Sequence, residues 1–334
     1  MNFKPRNLLK VLIVVLIATI IVTSGLGVMS KLFLADNYSL LTAKLYCDIY
    51  LYLEIPTMLS VVLVGAGLGV SGCVMQTILQ NSLADPSILG VSTSSSFFAL
   101  IGLLFIGSVG VLPINLVMFL GSLIGAIIVL VILFIFSMII QNGRLVGVLL
   151  AGVALSAMFG ALMTMMLSYM SVVSLKSSIA WMYGSIDSIN WLGFIYIAVS
   201  LFFGLLFIFP LSKRLDVLAI GYDNALALGI NLKKVLIIAV IGVAIILAGG
   251  VAVVGPIGFV GLISPHIARR LSSSKQGYLM VNSSLVAANI MLFAELVSKN
   301  IAKPYIIPLS AITALMGAPF FLWLLWKNYR SKEL

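Results

Sequence analysis

Charged residues, histidine and cysteine are all scarce in this 334-residue chain. Charged residues make up 8% and apolar residues 62% of the sequence, so there are too few charges to cover a water-soluble globule. Two cysteines, Cys47 and Cys73, and the single His266 are too few by themselves for a metal site with three or four ligands. We therefore expect that any metal the chain handles arrives inside a substrate.

The sequence also lacks the residues that would supply energy or covalent chemistry. It has no G-x-x-x-x-G-K-[ST] phosphate loop, so it has no recognisable means of hydrolysing ATP. Only Glu295 lies near the end of an apolar stretch, whereas ion-coupled carriers usually have ionisable or carbonyl-rich sites near the membrane midplane. One histidine is a poor basis for a nucleophile and base pair. We predict that the chain is not an enzyme and that a partner supplies its energy.

Long apolar runs dominate what is present, and they repeatedly exceed the roughly 18 to 20 residues that cross a bilayer. This pattern predicts an all-α polytopic membrane protein with a single transmembrane domain over residues 1–334. Reading the runs against polar, proline and glycine residues predicts ten spans, near 9–29, 57–79, 89–109, 114–140, 146–170, 192–211, 234–254, 256–271, 279–297 and 308–326.

The net charge of +10 is explained by the orientation of the chain in the membrane, because the basic residues lie in short clusters between the spans. It gives no indication of a nucleic-acid partner. An N-terminus in the cytoplasm leaves fourteen of the nineteen lysines and arginines on that side. The basic residues on the outer side are then Lys31, Lys44, Lys176, Lys299 and Lys303. This bias predicts that both termini and residues 212–233 are cytoplasmic.

Residues 212–233 are the longest polar interruption between two apolar spans, yet they keep an apolar helical spacing. The apolar positions are Leu215, Leu218, Ala219, Ala225, Leu226 and Leu228. We predict two short helices hinged at Gly221, the second with Asp223 as its N-cap and ending at a left-handed Gly229. The alternative is an amphipathic linker that lies on lipid headgroups.

Small residues and broken backbone are concentrated in a few places. The fifth span has a small face that runs from Gly147 to Gly160, which serves either plain helix packing or a path between helices. Residues 76–90 contain several polar side chains before Pro86, and five glycines or prolines lie between positions 255 and 265. Such backbone at membrane depth must be buried in protein or line water, and it serves either movement or kinked packing.

Several of these motifs together resemble the FecCD or BtuC-like permeases of bacterial ABC importers. The resemblance covers nearly the whole chain and lies in LVGAGLGVSGCVMQTILQNSLADPSILGVS (63–92), LLAGVALSAMFGAL (149–162), WMYGS (181–185), LAIGYDNALALGIN (218–231), GPIGFVGLISPHIARRL (255–271) and TALMGAPFFLWLL (313–325). It implies a type II importer fold in the bacterial cytoplasmic membrane, with about ten transmembrane helices and a second permease subunit. It also implies two cytosolic ATPases that bind ATP and Mg²⁺, an extracytoplasmic binding protein, and no cofactor on this chain.

The resemblance also assigns roles to individual residues. It implies that the ATPase-coupling residues are Leu218, Gly221, Asp223, Asn224, Ala225, Leu228 and Gly229. It implies a translocation path lined by Gly152, Ser156, Ala157 and Gly160 of the fifth span and by Thr313 and Gly317 of the tenth. The expected cargo is a ferric siderophore, with haem or cobalamin as alternatives within the family. An ion-coupled secondary transporter is the alternative from another class.

One stretch departs from the family pattern. Family members typically have Arg-Leu-Pro-Arg before the second helix, and these arginines, with one after the ninth, meet acidic residues of the binding protein. Here the stretch reads Glu54, Ile55, Pro56, Thr57, and Lys299 keeps the base at the third position. We expect docking at Glu54, Thr57 and Lys299, with Lys44 and Lys303 as compensating bases. Either the chain docks an unusual binding protein, or a heterodimer partner has the arginines.

Overall fold

The computed structural model describes residues 5–32, 44, 47–105, 112–139, 145–184, 189–271, 275–302 and 307–330. Within these ranges the chain forms helices and no β-strand. The α-helices are α1 (Pro5–Leu32), α2 (Ile55–Ile78), α3 (Val91–Phe105), α4 (Ile114–Ile139), α5 (Leu145–Ser168), α6 (Val172–Met182), α7 (Trp191–Ile208), α8 (Ser212–Leu218), α9 (Tyr222–Ala227), α10 (Leu232–Val254), α11 (Val260–Leu271), α12 (Gln276–Asn300) and α13 (Leu309–Arg330). A π-helical turn, Tyr50–Glu54, leads into α2.

Each of the ten predicted spans coincides with one of these helices, which confirms the all-α polytopic prediction. In the described part of the chain, six helical stretches are long and apolar enough to cross a membrane. They are Cys47–Ile78, Ile114–Phe136, Leu150–Ser168, Trp191–Leu218, Leu232–Val254 and Gln276–Asn300. The sequence did not predict α6, an eleven-residue helix that the side chain of Ser171 caps by accepting a hydrogen bond from the amide of Ser174.

The eighth predicted span, 256–271, is shorter in the structure than expected. Its helix α11 begins only at Val260 and has twelve residues, or about 18 Å, which is less than the roughly 30 Å of a hydrocarbon core. The residues before it are not helical, and Phe259 has a positive φ of 68°. Ile257, Val260 and Leu262 are nevertheless almost fully buried. Protein therefore covers the broken backbone on this stretch, as a membrane environment requires.

Helix α2 lies at the centre of the bundle and packs against α12, α11, α7 and α10. Its residues are buried nearly all round from Thr57 to Ile78, which is typical of a helix without a lipid-facing side. The closest approach is at Gly72, where a Cβ atom would lie 1.9 Å from the carbonyl oxygen of Gly261 in α11. The backbones of α2 and α11 therefore touch directly, and only glycine fits there.

Helix α5 is the least covered by the rest of the chain among the six spanning stretches. Leu150 is 63% exposed and Met165 is 61% exposed, so a long apolar surface of α5 faces away from the bundle. In a membrane protein such a surface contacts lipid or a second protein chain.

Candidate functional site

Helices α8 and α9 form a bent projection at one end of the bundle, which we call the elbow (residues 212–229). The two short helices expected from the sequence are present, and the chain bends at Gly221, whose φ is 139°. The N-cap of α9 is Gly221, so the prediction that Asp223 caps this helix is wrong. The reason is that the helical hydrogen bonds already begin at Gly221, whose carbonyl accepts from the amide of Ala225 at 3.1 Å. Asp223 instead lies in the first turn, where its negative charge interacts favourably with the positive end of the helix dipole.

The elbow ends in a left-handed turn at Gly229, whose φ is 76°. The amide of Ile230 donates to the carbonyl of Ala225 at 3.0 Å, and the amide of Gly229 donates to that of Leu226 at 2.9 Å. These two bonds form a Schellman motif, which ends a helix at a glycine. The left-handed backbone predicted for Gly229 is confirmed.

The inner side of the elbow is fixed to the bundle. Leu215, Leu218 and Ala225 are fully buried. The side-chain amide of Gln80 donates to the carbonyl of Leu218 at 3.2 Å, and the hydroxyl of Tyr222 donates to the carbonyl of Ile78, the last residue of α2. Burial raises the pKa of Tyr222 to about 12. The elbow is therefore attached to the end of α2 by apolar contacts and by side-chain hydrogen bonds.

The outer side of the elbow presents apolar side chains to its surroundings. Ile220 is 70% exposed, Leu226 58% and Leu228 68%. Asp223, Asn224 and Gly229 are exposed beside them. The predicted coupling residues therefore fall into two sets. Leu218 and Ala225 are buried against the bundle, whereas Asp223, Asn224, Leu228 and Gly229 are exposed on the outer side. The sequence pattern gave both sets the same helical spacing and could not separate them.

The predicted docking residues lie at the other end of the bundle, because α12 starts beside the elbow and ends at Asn300. Thr57 is only 3% exposed, and its hydroxyl lies 2.6 Å from the carbonyl oxygen of Leu53 and 3.4 Å from that of Ile189. The hydroxyl of Thr57 therefore contacts backbone carbonyl oxygens of its own chain. Lys44 is exposed, whereas Lys303 lies outside the described residues.

The ammonium group of Lys299 lies 2.6 Å from a carboxylate oxygen of Glu295, one turn earlier on the same helix. Glu295 is 1% exposed, and Glu54 lies in the π-helical turn that leads into α2. The structure thus pairs Lys299 with Glu295 of its own helix. The part that Glu54, Thr57 and Lys299 take in docking stays a prediction.

The small face of α5 meets two surroundings. At Gly152 a Cβ atom would lie 2.8 Å from the Cα of Leu89, and the hydroxyl of Ser156 donates to the carbonyl of Ile88 at 3.2 Å. These two positions hold α5 against the turn between α2 and α3. Ala157 is exposed, and no other part of the described chain comes within 4 Å of a Cβ placed at Gly160. Ala157 and Gly160 therefore face away from this chain.

The two predicted path residues of α13 pack inward. Thr313 is 1% exposed, and a Cβ atom at Gly317 would lie 2.2 Å from the Cβ of Phe259. Gly317 thus makes room for the residue with positive φ that precedes α11. The path assignment of Thr313 and Gly317, like that of the α5 residues, stays a prediction.

The turn between α2 and α3, residues 79–90, contains a buried acid. Asp85 is 2% exposed, and one of its carboxylate oxygens accepts from the amide of Ser87 at 2.7 Å and from its hydroxyl. Burial raises the pKa of the Asp85 carboxyl, and the bonds from Ser87 oppose that shift. The polar residues seen in this segment of the sequence therefore shape a turn and a contact with the elbow.

The structure also reveals a contact that the sequence did not indicate. The amide of Gln276, at the start of α12, donates to the carboxylate of Asp216 in the elbow at 2.6 Å. These residues are sixty positions apart, and no local pattern connects them.

Comparison with known proteins gives a consistent relationship over the whole chain. Residues 8–327 match the FecCD transport family. The hemin transport system permease HmuU of Yersinia pestis is 30% identical over 99% of this chain and 98% of its own length. The Fe(3+)-citrate import system permease YfmE of Bacillus subtilis is 34% identical over 96% and 95% of the two chains. The vitamin B12 import system permease BtuC of Escherichia coli is 36% identical over 83% of each.

The fold is similar to that of a solved metal-chelate type ABC transporter in an inward-facing conformation. The two structures superpose with a TM-score of 0.78, at 29% sequence identity, over 97% of this chain and 100% of the other. The helical bundle, the family match and the full-length relatives agree with one another. The chain is therefore a member of the FecCD transport family.

Proposed function

We propose that the chain is the permease subunit of an ATP-binding-cassette importer and that it carries a ferric siderophore across the bacterial cytoplasmic membrane. The observation that supports this most is the elbow, which is held firmly on one side and exposes apolar residues on the other. Such a surface suits the docking of a cytosolic ATPase. The chain has no phosphate loop, so ATP and Mg²⁺ belong to that partner, and the chain itself is not an enzyme.

The exposed leucines of the elbow favour a protein partner over a lipid surface. Burial of a leucine side chain contributes about 1.5 to 3 kcal/mol, so Leu226 and Leu228 together support a stable contact. Asp223 and Asn224 lie beside them on the same exposed side. An acidic side chain is unfavourable against an anionic membrane surface but suits a basic or polar cleft on a protein.

The remaining partners follow from the family and from the surfaces that the chain leaves open. The exposed apolar side of α5 suits a second permease subunit, either a second copy or a related chain. An extracytoplasmic binding protein delivers the cargo to the end of the bundle that contains Lys299. The distribution of lysine and arginine favours cytoplasmic termini and a cytoplasmic elbow.

A metal chelate is the cargo class that the relatives favour. Their names refer to hemin, vitamin B12 and Fe(3+)-citrate, all of which are metal ions enclosed by organic ligands. We place a ferric siderophore first within this class, with haem and cobalamin as the alternatives. In this mechanism ATP binding closes the two ATPases, the elbows move with them, and the path changes from outward-open to inward-open. The cargo undergoes no covalent change.

Reconstitution tests this function directly. The chain, its ATPase and its binding protein are placed in liposomes, and uptake of a ferric siderophore, hemin and cobalamin is measured with ATP and with a non-hydrolysable analogue. We expect uptake of the ferric siderophore only with ATP. Uptake driven by a pH gradient without the ATPase would contradict the importer proposal, and a chemically altered product without net transport would indicate an enzyme. Preference for hemin or cobalamin would contradict only the choice of cargo.

A further inference from the structure

Among the described residues, the segment that leads into helix α12 supplies no side-chain cap for it. Its N-cap residue, Lys275, has an extended backbone and makes no side-chain capping bond. The amide of Gln276 instead donates to the carboxylate of Asp216 in α8 at 2.6 Å, a short hydrogen bond to an acidic acceptor. The elbow therefore supplies the acceptor that the start of α12 lacks.

A second contact shows that α8 lies directly across the start of α12. A Cβ atom placed on Gly277 would lie 3.9 Å from the Cβ of Ser212, the first residue of α8. The two ends of the contact, Ser212 opposite Gly277 and Asp216 opposite Gln276, are one turn apart on the elbow. The hydrogen bond and this close approach therefore lie on the same side of α8.

Gln276 also fixes α12 to the central helix. Its side chain is 2% exposed, and its oxygen accepts a hydrogen bond from the thiol of Cys73 in α2 at 3.4 Å. The residue that Asp216 holds is thus itself held inside the bundle. A displacement of α8 reaches α12 and α2 at the same point.

Helix α12 continues from there to the opposite end of the bundle. Its 25 residues contain no proline and extend over about 37 Å, from Gln276 beside the elbow to the turn that contains Glu295 and Lys299. A helix without proline has no expected sharp kink, so a displacement at its start can reach its far end. We propose that Asp216 is a positioning residue that fastens the elbow to α12, so that movement of the elbow reaches the end of the bundle where we expect the binding protein. This inference rests on the proposed importer function.

The proposal is tested on the complete complex with ATPase and binding protein, by measuring basal ATP hydrolysis and its stimulation by the binding protein. In Asp216→Ala we expect co-purification and basal hydrolysis to persist, while stimulation falls about tenfold, a coupling loss of ordinary size. Asp216→Asn keeps an oxygen acceptor and should retain more stimulation. Full stimulation in Asp216→Ala would overturn the proposal.

A disulfide can replace the lost hydrogen bond. The separation of 3.9 Å between the Cβ positions of residues 212 and 277 suits a disulfide, so Ser212→Cys with Gly277→Cys can lock α8 to α12. Cys47 is exposed and is removed as Cys47→Ser, whereas Cys73 is buried. In the Asp216→Ala background we expect oxidation to restore stimulation and reduction to abolish it again. Single-cysteine variants, treated in the same way, serve as controls.

The outcomes separate positioning from a purely structural role. If Asp216→Ala fails to assemble, the oxidised double-cysteine variant decides: recovered stimulation supports the proposal, and an assembled but unstimulated complex overturns it. If the same disulfide abolishes stimulation while Asp216 is present, the two helices must separate during transport, and the proposal is wrong. A failure of the proposed importer function is seen in a different measurement: the wild-type complex would then show no ATP-dependent uptake.

Discussion

Lys299 and Glu295 form an ion pair within α12, with 2.6 Å between the ammonium nitrogen and a carboxylate oxygen. The carboxylate is buried, and the lysine side chain is 32% exposed. The lysine therefore neutralises an acid of its own helix. Its charge is less available to a binding protein than the family pattern implies for this position.

Lys299→Met should destabilise the permease. The substitution leaves Glu295 buried without its cation, and we expect a loss of about 2 kcal/mol, less than for a fully buried pair because the lysine is partly exposed. Thermal unfolding in detergent measures this as a lower Tm. The double variant Lys299→Met with Glu295→Gln should recover most of the loss. Lys176→Met, at an exposed lysine of α6, is the matched control and should unfold like the wild type.

Glu54→Arg should leave binding-protein docking unchanged or improve it. The substitution removes a negative charge and places a cation where the family pattern described above has one. Exposed charge pairs act mainly on the association rate, so any gain should be larger at low salt than at high salt. Affinity for the binding protein, measured at both salt concentrations, checks this. A variant that lost docking would show that Glu54 is itself a contact.

Lys299→Glu should weaken docking measurably. It reverses the charge of the one basic side chain kept at the family's docking positions, and it also breaks the pair with Glu295. Lys299→Met breaks the same pair without adding a negative charge, so the difference in affinity between the two variants isolates the effect of that added charge. If both variants bound the binding protein as tightly as the wild type, Lys299 would take no direct part in docking.

Gly229→Val should weaken association with the ATPase. Gly229 has a φ of 76°, which costs other residues about 1 to 2 kcal/mol and costs a branched residue more. Apart from its chain neighbours, no described residue has an atom within 4 Å of a Cβ placed there, so the effect comes from the backbone and not from a clash. Co-purification of the ATPase is the measurement. Gly160→Ala adds a Cβ in equally open space on a helix and should leave co-purification intact.

Leu226→Asp and Ala225→Arg should fail in different ways. Leu226 is 58% exposed on the outer side of the elbow, so Leu226→Asp should reduce co-purification of the ATPase while the Tm of the permease stays near that of the wild type. Ala225 is fully buried, so Ala225→Arg forces a charge into the bundle at a cost on the order of 2 kcal/mol or more. This variant should lower both the co-purification of the ATPase and the Tm of the permease. Loss of Tm in Leu226→Asp would contradict the assignment of the two sides.

Tyr222→Phe should change how stability depends on pH above 10. The folded-state pKa of Tyr222 is raised from 10.0 to about 12, so the folded protein holds this proton more tightly than the unfolded chain does. The stability it contributes is fully present below pH 10 and is lost as pH rises towards 12. The difference in Tm between wild type and Tyr222→Phe, measured from pH 8 to pH 11 (about one unit below that pKa), should therefore shrink at the alkaline end. A constant difference would contradict this assignment.

The sequence predicted the spans well because hydropathy and bilayer thickness are local properties. It missed α6 because this short helix contains serines and a lysine and falls below the length of a span. It overestimated the span at 256–271 because Pro256 and Gly258 keep the chain out of a helix until Val260. Apolar content alone does not report where helical hydrogen bonding begins.

The candidate sites were predictable only in part. Gly229 was correctly assigned because its conformation depends on a single residue type, whereas the burial of Ala225 depends on helices far away in sequence. The pair of Glu295 and Lys299 had a usable signal, since opposite charges four positions apart on a helix commonly interact. The contact between Asp216 and Gln276 had none, because it exists only once two distant segments have folded together.

The contact of α2 with α11 at Gly72 and Gly261 has a mechanical consequence. Where side chains interlock between two helices, any rotation of one helix against the other must change rotamers or open voids. At this point two bare backbones meet, and there are no rotamers to change. No side chain separates the two helices at this crossing, so backbone atoms alone set the distance between the half-length helix α11 and the central helix. Even the single methyl group of an alanine at position 72 would force the two helices apart.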